Sequence, residues 1–288
     1  GAGVRHLQNQ DHGLELALDN EWIEKSRDAL EHGTPVVIEG EVNNLNRTAG
    51  TMLSYQVSKR YSEAGLPDNT IQLKMKGHGG QSMGFTLAKG ITLTVEGDAN
   101  DYCGKGLSGG TIAVFPSPDV IKDGFVPEDN VVVGNVCLYG ATSGKAFFQG
   151  KAGERFCVRN SGALAVVEGV GDHCSEYMTG GRLVVLGETG RNFGAGMSGG
   201  IAYVYDPDGT FPGRCNMGLV GLERIESDEE MDLVRGYIEE HVQITDSSLG
   251  REFLEEWDDR LKQFVKIMPH DYKRVLQEKE DAMQDMVA

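Results

Sequence analysis

The chain has 288 residues, 44 acidic against 27 basic side chains and a formal net charge of −17. That charge argues against non-specific attraction to nucleic acid or to an anionic membrane. No apolar run approaches the ~18 residues of a bilayer span, and the first residues lack the apolar core of a signal peptide.

The five cysteines, Cys103, Cys137, Cys157, Cys174 and Cys215, are odd in number and form no C-x-x-C pair. Reduced thiols in a cytoplasmic protein are expected, rather than a disulfide framework or a cysteine zinc site. The start "GAGVRHLQ" has no methionine, so the stretch is expected to be a piece of something longer.

Residues 1–66 read as a helical lead-in. "LDNEWIEKSRDALEHGTP" offers Asp19 or Asn20 as N-cap, an apolar stripe of Trp22, Ile23, Ala29 and Leu30, and Gly33 with Pro35 as stop signals. "PVVIEGEV" reads as a short strand. "NRTAGTMLSYQVSKRYSEAGLP" predicts a second helix with Met52, Leu53 and Val57 on one face, closed by Gly65 and Pro67.

Residues 67–221 change in texture. Of the 40 glycines, 31 fall between Gly77 and Gly221, and they bound short β-rich runs such as "ITLTVEG", "TIAVF", "ALAVVEG", "RLVVLG" and "IAYVY". The glycines recur at a fixed step: Gly77 to Gly97 and Gly90 to Gly110 are 20 apart, and Gly162, Gly181 and Gly200 are 19 apart. Such a period marks a repeat architecture. The leucine/asparagine pattern of leucine-rich repeats and the six-residue register of left-handed hexapeptide helices are both missing.

A β-solenoid of about six or seven coils fits, with parallel strands stacked ~4.8 Å apart and glycine at corners where φ is positive. Six coils would form a rod roughly 30 Å long.

Residues 222–288 turn helical and acidic. "SDEEMDLVRGYIEEHV" has Ser227 and Glu230 at capping-box spacing and Met231, Val234 and Ile238 on one face. "SSLGREFLEEWDDRLKQF" carries a stripe of Phe253, Leu254, Trp257 and Leu261. The charge run reads as a solvated helix face, and helices at both ends would cover the solenoid's open strand edges.

Two stretches, "GKGLSGGTIAVF" at 104–115 and "GAGMSGGIAYVY" at 194–205, each contain a literal G-x-G-x-x-G. A dinucleotide site needs that pattern directly after a strand and opening a helix. Here each copy leads into a β-branched and aromatic run, so both conditions fail. Aligning Gly97 with Gly187 matches Gly104 with Gly194, Gly106 with Gly196, Gly109 with Gly199 and Gly110 with Gly200 without a gap. "VEGVGDHCSEYMTGGRLVVLG", through Gly181, is a degraded copy. These eleven glycines are assigned to a reused turn.

"GDANDYCGKGLSGGTIAV", "NVCLYGATSGKAFFQGKAGERF", "VRNSGALAVVEGVGDHCSEYMTGG" and "GRNFGAGMSGG" closely resemble the C-terminal G-x-G-x-G domain of the glutamate synthase large subunit. "VNNLNRTAGTMLSYQVSKRY" and "FVKIMPHDYKRVL" extend the likeness from about Asp11 to Leu276. The resemblance implies a right-handed parallel β-helix. In that family it stands behind an amidotransferase domain, a central domain and a synthase barrel carrying FMN and an iron–sulfur cluster, which make two glutamates from glutamine and 2-oxoglutarate.

Those domains, and possibly a small subunit, are the implied partners; no cofactor is expected on this stretch itself. The final "QEKEDAMQDMVA" departs from the family pattern and reads as a frayed or source-specific tail.

Candidate chemistry is sparse. Asp98, Asp101 and Asp172 are read as turn caps rather than a metal or acid/base set. Cys103 matches Phe193 and reads as an interior filler, while Cys137 and Cys157, 20 apart, are expected to stack. Ser108 and Ser198 read as turn hydroxyls.

No catalytic, cofactor-binding or metal residue is assigned. The expectation is a non-catalytic scaffold domain of glutamate synthase. The alternative is a free-standing subunit of a larger redox complex, as in archaeal glutamate synthases or formylmethanofuran dehydrogenase.

Overall fold

The computed structural model describes residues 4–287. Gly1 to Gly3, with the first letters of the methionine-less start, and Ala288 at the end of the tail lie outside them.

The spine is a parallel β-solenoid of about seven turns. Its strands are β1 Val36–Val42, β2 Ile71–Gly79, β3 Ile91–Ala99, β4 Ser108–Phe115, β5 Val131–Val133, β6 Ser143–Ala152, β7 Ser161–Val170, β8 Thr179–Val185 and β9 Gly199–Tyr205. They stack in the order β1-β2-β3-β4-β6-β7-β8-β9, with β5 pairing β3 and β6 from the side. Register follows the glycine period: Ile71 lies opposite Ile91, Lys145 opposite Leu164 and Arg182 opposite Ile201.

Two insertions interrupt the period. Thr111 pairs with Lys145 across an excursion that holds the short helix α4, Pro118–Lys122. Val36 pairs with Ile71, so stacking begins at β1, inside the stretch read as lead-in, with helix α3, Thr51–Tyr61, inserted after it.

Strand composition tells which faces are covered. β2 and β3, "IQLKMKG" and "ITLTVEG", bury Ile71, Leu73, Met75, Ile91, Leu93 and Val95 and turn their polar residues outward. β6 to β9 are apolar on both faces because helices lie on their outer side. These helices are α5 Asp228–Thr245, α6 Ser248–Glu255 and α7 Trp257–Arg260. Val234, Ile238, Phe253 and Trp257 pack on Phe147, Val166, Val184 and Tyr203, while a separate core of Leu93, Ile112, Phe148, Val167 and Val185 fills the solenoid.

Helices flank the solenoid as expected, but the acidic helices cover its side rather than its end. The edge of β9 is closed by an antiparallel pair, β10 Val220–Glu223 and β11 Phe264–Pro269, with β11 against β9. β11 was not anticipated, and "FVKIMP" supplies it. The tail expected to fray continues helix α8, His270–Val287.

At the other end, helix α1, Asp19–Lys25, has Leu18 at its N-cap, so neither Asp19 nor Asn20 takes that role. Helix α2, Arg27–His32, ends at Gly33 with φ of +71°, as its stop signal predicts. Among the described residues no helix is long and apolar enough to cross a membrane.

Candidate functional site

The repeated glycine motif forms the corner of the coil. In six successive rungs three alternate residues have positive φ: Ser82, Gly84 and Thr86; Tyr102, Gly104 and Gly106; Val136, Leu138 and Gly140; Arg155, Cys157 and Arg159; His173, Ser175 and Tyr177; Asn192, Gly194 and Gly196. Phe85 N donates to Ser82 O at 3.0 Å and Leu87 N to Gly84 O at 3.2 Å; Lys105 N and Leu107 N repeat this onto Tyr102 O and Gly104 O, both at 3.0 Å. Positive φ at the third residue under such a bond is the geometry of a type II turn. The corner is therefore a run of overlapping type II turns.

Neighbouring rungs lock through the same residues. Tyr102 N and Gly106 N donate forward to Asn135 O and Tyr139 O, and Gly104 N donates back to Met83 O, each at 2.8 Å. A phosphate cradle needs several convergent, unspent N–H groups. In this motif the amides of Gly104, Gly106, Gly110 and Gly194 already serve neighbouring rungs. β4 and β9, not helices, follow the two copies.

The glycines split by physical reason. Gly104, Gly106, Gly194 and Gly196 have φ between +65° and +70°, the left-handed region that glycine enters without a Cβ penalty. Gly97 and Gly187 share a different constraint: a Cβ there would come within 1.9 Å of Gly77 O and 2.3 Å of Glu168 O in the preceding rung.

The aligned pairs at the end of the motif differ. Gly109 and Gly200 have positive φ but Gly110 and Gly199 do not, because register shifts fall at each of these strand starts. Gly199 is needed because its Cβ would meet Thr179 O at 2.2 Å. Gly181, at φ of +81°, would press on Ala163 O.

The single residues considered for chemistry are spent on structure. Asp101 Oδ1 accepts from Asn135 N and Asp172 Oδ1 from Arg191 N, both at 2.7 Å. They cap the next rung's turn rather than their own. Arg191 also pairs with Asp172, and its backbone and side-chain bonds hold that carboxyl below the usual range. Asp98 meets His78 at 2.8 Å on the surface, and Ser108 Oγ donates to Gly106 O at 2.7 Å.

Cys103, Cys137, Cys157 and Cys174 are fully buried, and Cys157 N donates to Cys137 O at 3.0 Å, so those two do stack. Burial pushes the Cys137 thiol up to about 12 and Cys215, half-buried, up to about 11.

Two carboxylate clusters, one partly buried and one fully buried and neither visible in the sequence reading, fasten α5 to the solenoid. Near its N-terminus Glu230 accepts from Tyr203 Oη at 2.7 Å and from Lys266 Nζ at 2.8 Å. Burial, reinforced by Glu230, raises the Tyr203 phenol. Ser227 Oγ accepts from Glu230 N at 3.2 Å, so half of the expected capping box forms while the Glu230 side chain serves the solenoid instead.

At the other end Glu168, on β7, faces His241 and Ser247, all three at most 1% exposed. His241 Nε2 donates to Glu168 Oε1 at 3.2 Å. The Ser247 hydroxyl donates to the same oxygen and accepts from Gly250 N, 2.8 Å away, as the N-cap of α6. The signal for this cluster is one acid inside "ALAVVEG" and one histidine three places beyond Ile238 on an apolar stripe.

The family model described as "GXGXG motif" matches residues 19–270. The chain is 52% identical, over 96% of its length, to a glutamate synthase [NADH] of Schizosaccharomyces pombe, of which it covers 13%. It is 48% identical, over 95% of its length, to the glutamate synthase [NADPH] large chain of Bacillus subtilis, of which it covers 18%. A ferredoxin-dependent glutamate synthase 2 of Synechocystis is 45% identical over 84% of the chain and 15% of its own length. The chain thus spans less than a fifth of these relatives.

Proposed function

Because the chain belongs to the GXGXG-motif family, and its relatives are glutamate synthases throughout their names, we propose that it acts as a non-catalytic scaffold domain of a glutamate synthase. In this reading it holds the amidotransferase and FMN-bearing synthase domains in a fixed relation and offers surface for subunit contacts. The reaction would be the conversion of glutamine and 2-oxoglutarate to two glutamates, with no cofactor on the scaffold. Five free thiols fit a reducing compartment such as the cytoplasm.

The observation that carries the reading is the rung-to-rung bonding of both strands and corners, from β1 to β9, around an interior filled by side chains. A column tied at every step resists bending because no rung moves without breaking bonds on both sides. The clasp of Glu230 and Glu168 on α5 extends that stiffness to the flank.

The test has two arms. The purified 288-residue chain should neither hydrolyse glutamine nor retain flavin; stoichiometric FMN in it would overturn the proposal. In a full-length synthase, loosening a rung with Gly199→Val should uncouple glutamine hydrolysis from glutamate formation. Loss of neither activity nor coupling, with the rung shown to be loosened, would equally count against it.

A further inference from the structure

The outer face of the turn corner carries a cluster of rings and cations that packing does not explain. Lys105 Nζ lies 5.3 Å from the ring centre of Tyr102, 5.8 Å from that of Tyr139 and 5.9 Å from that of Phe85. The rings come from three successive rungs, and all four residues are partly exposed.

The cluster continues as a strip through the next two rungs. Gly140 N donates to Val158 O at 2.8 Å and Arg159 N to Glu176 O at 2.9 Å, which puts Arg159 and Tyr177 in line with Gly106 and Gly140. Arg159 is exposed and Tyr177 is 58% exposed. The Tyr177 ring rests against Gly196 of the rung beyond, where a Cβ would come within 2.6 Å of it.

Backbone conformation singles out these two residues. The line runs Thr86, Gly106, Gly140, Arg159, Tyr177, Gly196, all at positive φ, and glycine meets that demand at three of the six. Arg159 and Tyr177 instead hold φ of +57° and +53° with side chains standing in solvent. Strain kept for an exposed side chain points to a role outside the fold.

Charge gives the chemistry of what would lie there. Acids bordering the strip are already engaged: Asp101 with Asn135 N at 2.7 Å, Asp172 with Arg191 at 2.9 Å and Glu176 with His173 at 2.8 Å. Glu154 is offset by its neighbour Arg155. Within a chain of net charge −17, Lys105 and Arg159 are thus left without an ion pair among the described residues. That overall charge opposes a long nucleic-acid polyanion, whereas rings with arginine are the composition of a protein contact surface.

We propose that the strip of Phe85, Tyr102, Lys105, Tyr139, Arg159 and Tyr177 is a docking surface for an extended acidic protein segment, with carboxylates on Lys105 and Arg159 and apolar side chains on the rings. From Phe85 to Tyr177 is four rung steps of ~4.8 Å, roughly 19 Å in all, which about six residues of extended chain span. The surface gives a place to the contacts of the scaffold reading and rests on that reading only for the segment's origin. Binding is measured on the chain alone, so its failure leaves the coupling test of a full synthase untouched.

The probe is a capped hexapeptide alternating glutamate and leucine. Its controls carry glutamine or lysine in place of glutamate, and a thymidine hexanucleotide serves as the non-protein anion. Titrated into the isotope-labelled 288-residue chain, the glutamate peptide should give saturable shifts of the Gly106, Gly140 and Tyr177 amides that weaken as salt rises. The three controls should leave those amides unmoved. Arg159→Asn and Tyr177→Asn, which suit the left-handed region, should keep the thermal transition. The first should weaken binding roughly two- to fivefold, the scale of one exposed ion pair, and the second roughly tenfold, the scale of an aromatic anchor.

No saturable shift from the glutamate peptide, or shifts centred away from the corner, would overturn the proposal. So would equal shifts from any control, or unchanged affinity in folded Arg159→Asn and Tyr177→Asn.

Discussion

The carboxylate of Asp19 accepts the backbone amide of Leu53 at 3.0 Å and that of Gly50 at 2.9 Å, capping a helix whose first residue is Thr51. It is 3% exposed, and ties the lead-in helix to the insertion between the first two rungs. Asp19→Ala leaves two buried amides unmatched and should cost at least the ~1–2 kcal/mol of a lost N-cap, read by urea denaturation.

The same residue carries a pH dependence of definite sign. Burial, outweighing the amide bonds, raises its pKa above 3.8. The folded state therefore binds the proton more readily than the unfolded one. Asp19's contribution is fully present below the unfolded value and is lost as pH rises through the folded value. Stability of wild type relative to Asp19→Asn should fall as pH rises from about 3.8 and level off above the raised pKa. A difference that grows with pH would contradict the assignment.

Glycine substitutions should sort by what the Cβ meets. Gly199→Val drives a side chain into Thr179 O, and Gly109→Val combines φ of +99° with a contact at Lys89. Each should cost several times the ~0.5–1 kcal/mol of an ordinary glycine replacement. At Gly140 φ is +64° but nothing lies within 4 Å, so Gly140→Ala should cost only the left-handed penalty of about 1–2 kcal/mol. Equal melting temperatures for Gly199→Val and Gly140→Ala would refute inter-rung approach as the cause.

The Glu168–His241 clasp should be destabilising to break and tolerant of replacement as a pair. Glu168→Ala leaves His241 and Ser247 unmatched in a dry site and should cost about 3–5 kcal/mol. The double variant Glu168→Leu with His241→Leu should recover most of that loss. A double-mutant cycle in chemical denaturation measures it, and simple additivity would mean the two do not act as a unit.

Thiol chemistry gives a quick check of the interior. At mildly alkaline pH the four buried cysteines of the folded chain should be silent to a disulfide reagent, with slow reaction at Cys215, half-buried and near 11. All five should react together once denaturant unfolds the solenoid.

Legibility in the sequence followed a physical divide. Stacked rungs impose one period on every strand, so the step from Gly162 through Gly181 to Gly200 exposed the solenoid. β1 was harder to place because α3 is inserted before its partner strand, and β11 because its pairing is antiparallel and distant. Asp19 pairs 31 residues away, beyond the reach of a local capping rule. Glu168 is a lone acid in an apolar run, and only the tertiary fold brings His241 to it. The corner geometry was half visible, since glycine marks positive φ at Gly104 and Gly194 while Leu138, Cys157 and Ser175 take the same conformation unmarked.

Those unmarked corners lead to a stabilising substitution. Val136 holds φ of +61°, where a β-branched side chain crowds its own backbone, and its side chain is only partly buried. Its amide donates to Glu154 O at 2.8 Å, so the rung fixes the conformation and the residue bears the strain. Asparagine tolerates the left-handed region without glycine's extra chain entropy. Val136→Asn should therefore relieve about 1 kcal/mol of strain for little lost burial and raise the melting temperature by a few degrees. Val136→Gly should gain less, because the unfolded chain becomes freer. A lower melting temperature for Val136→Asn than for wild type would show that the valine's packing outweighs its backbone strain.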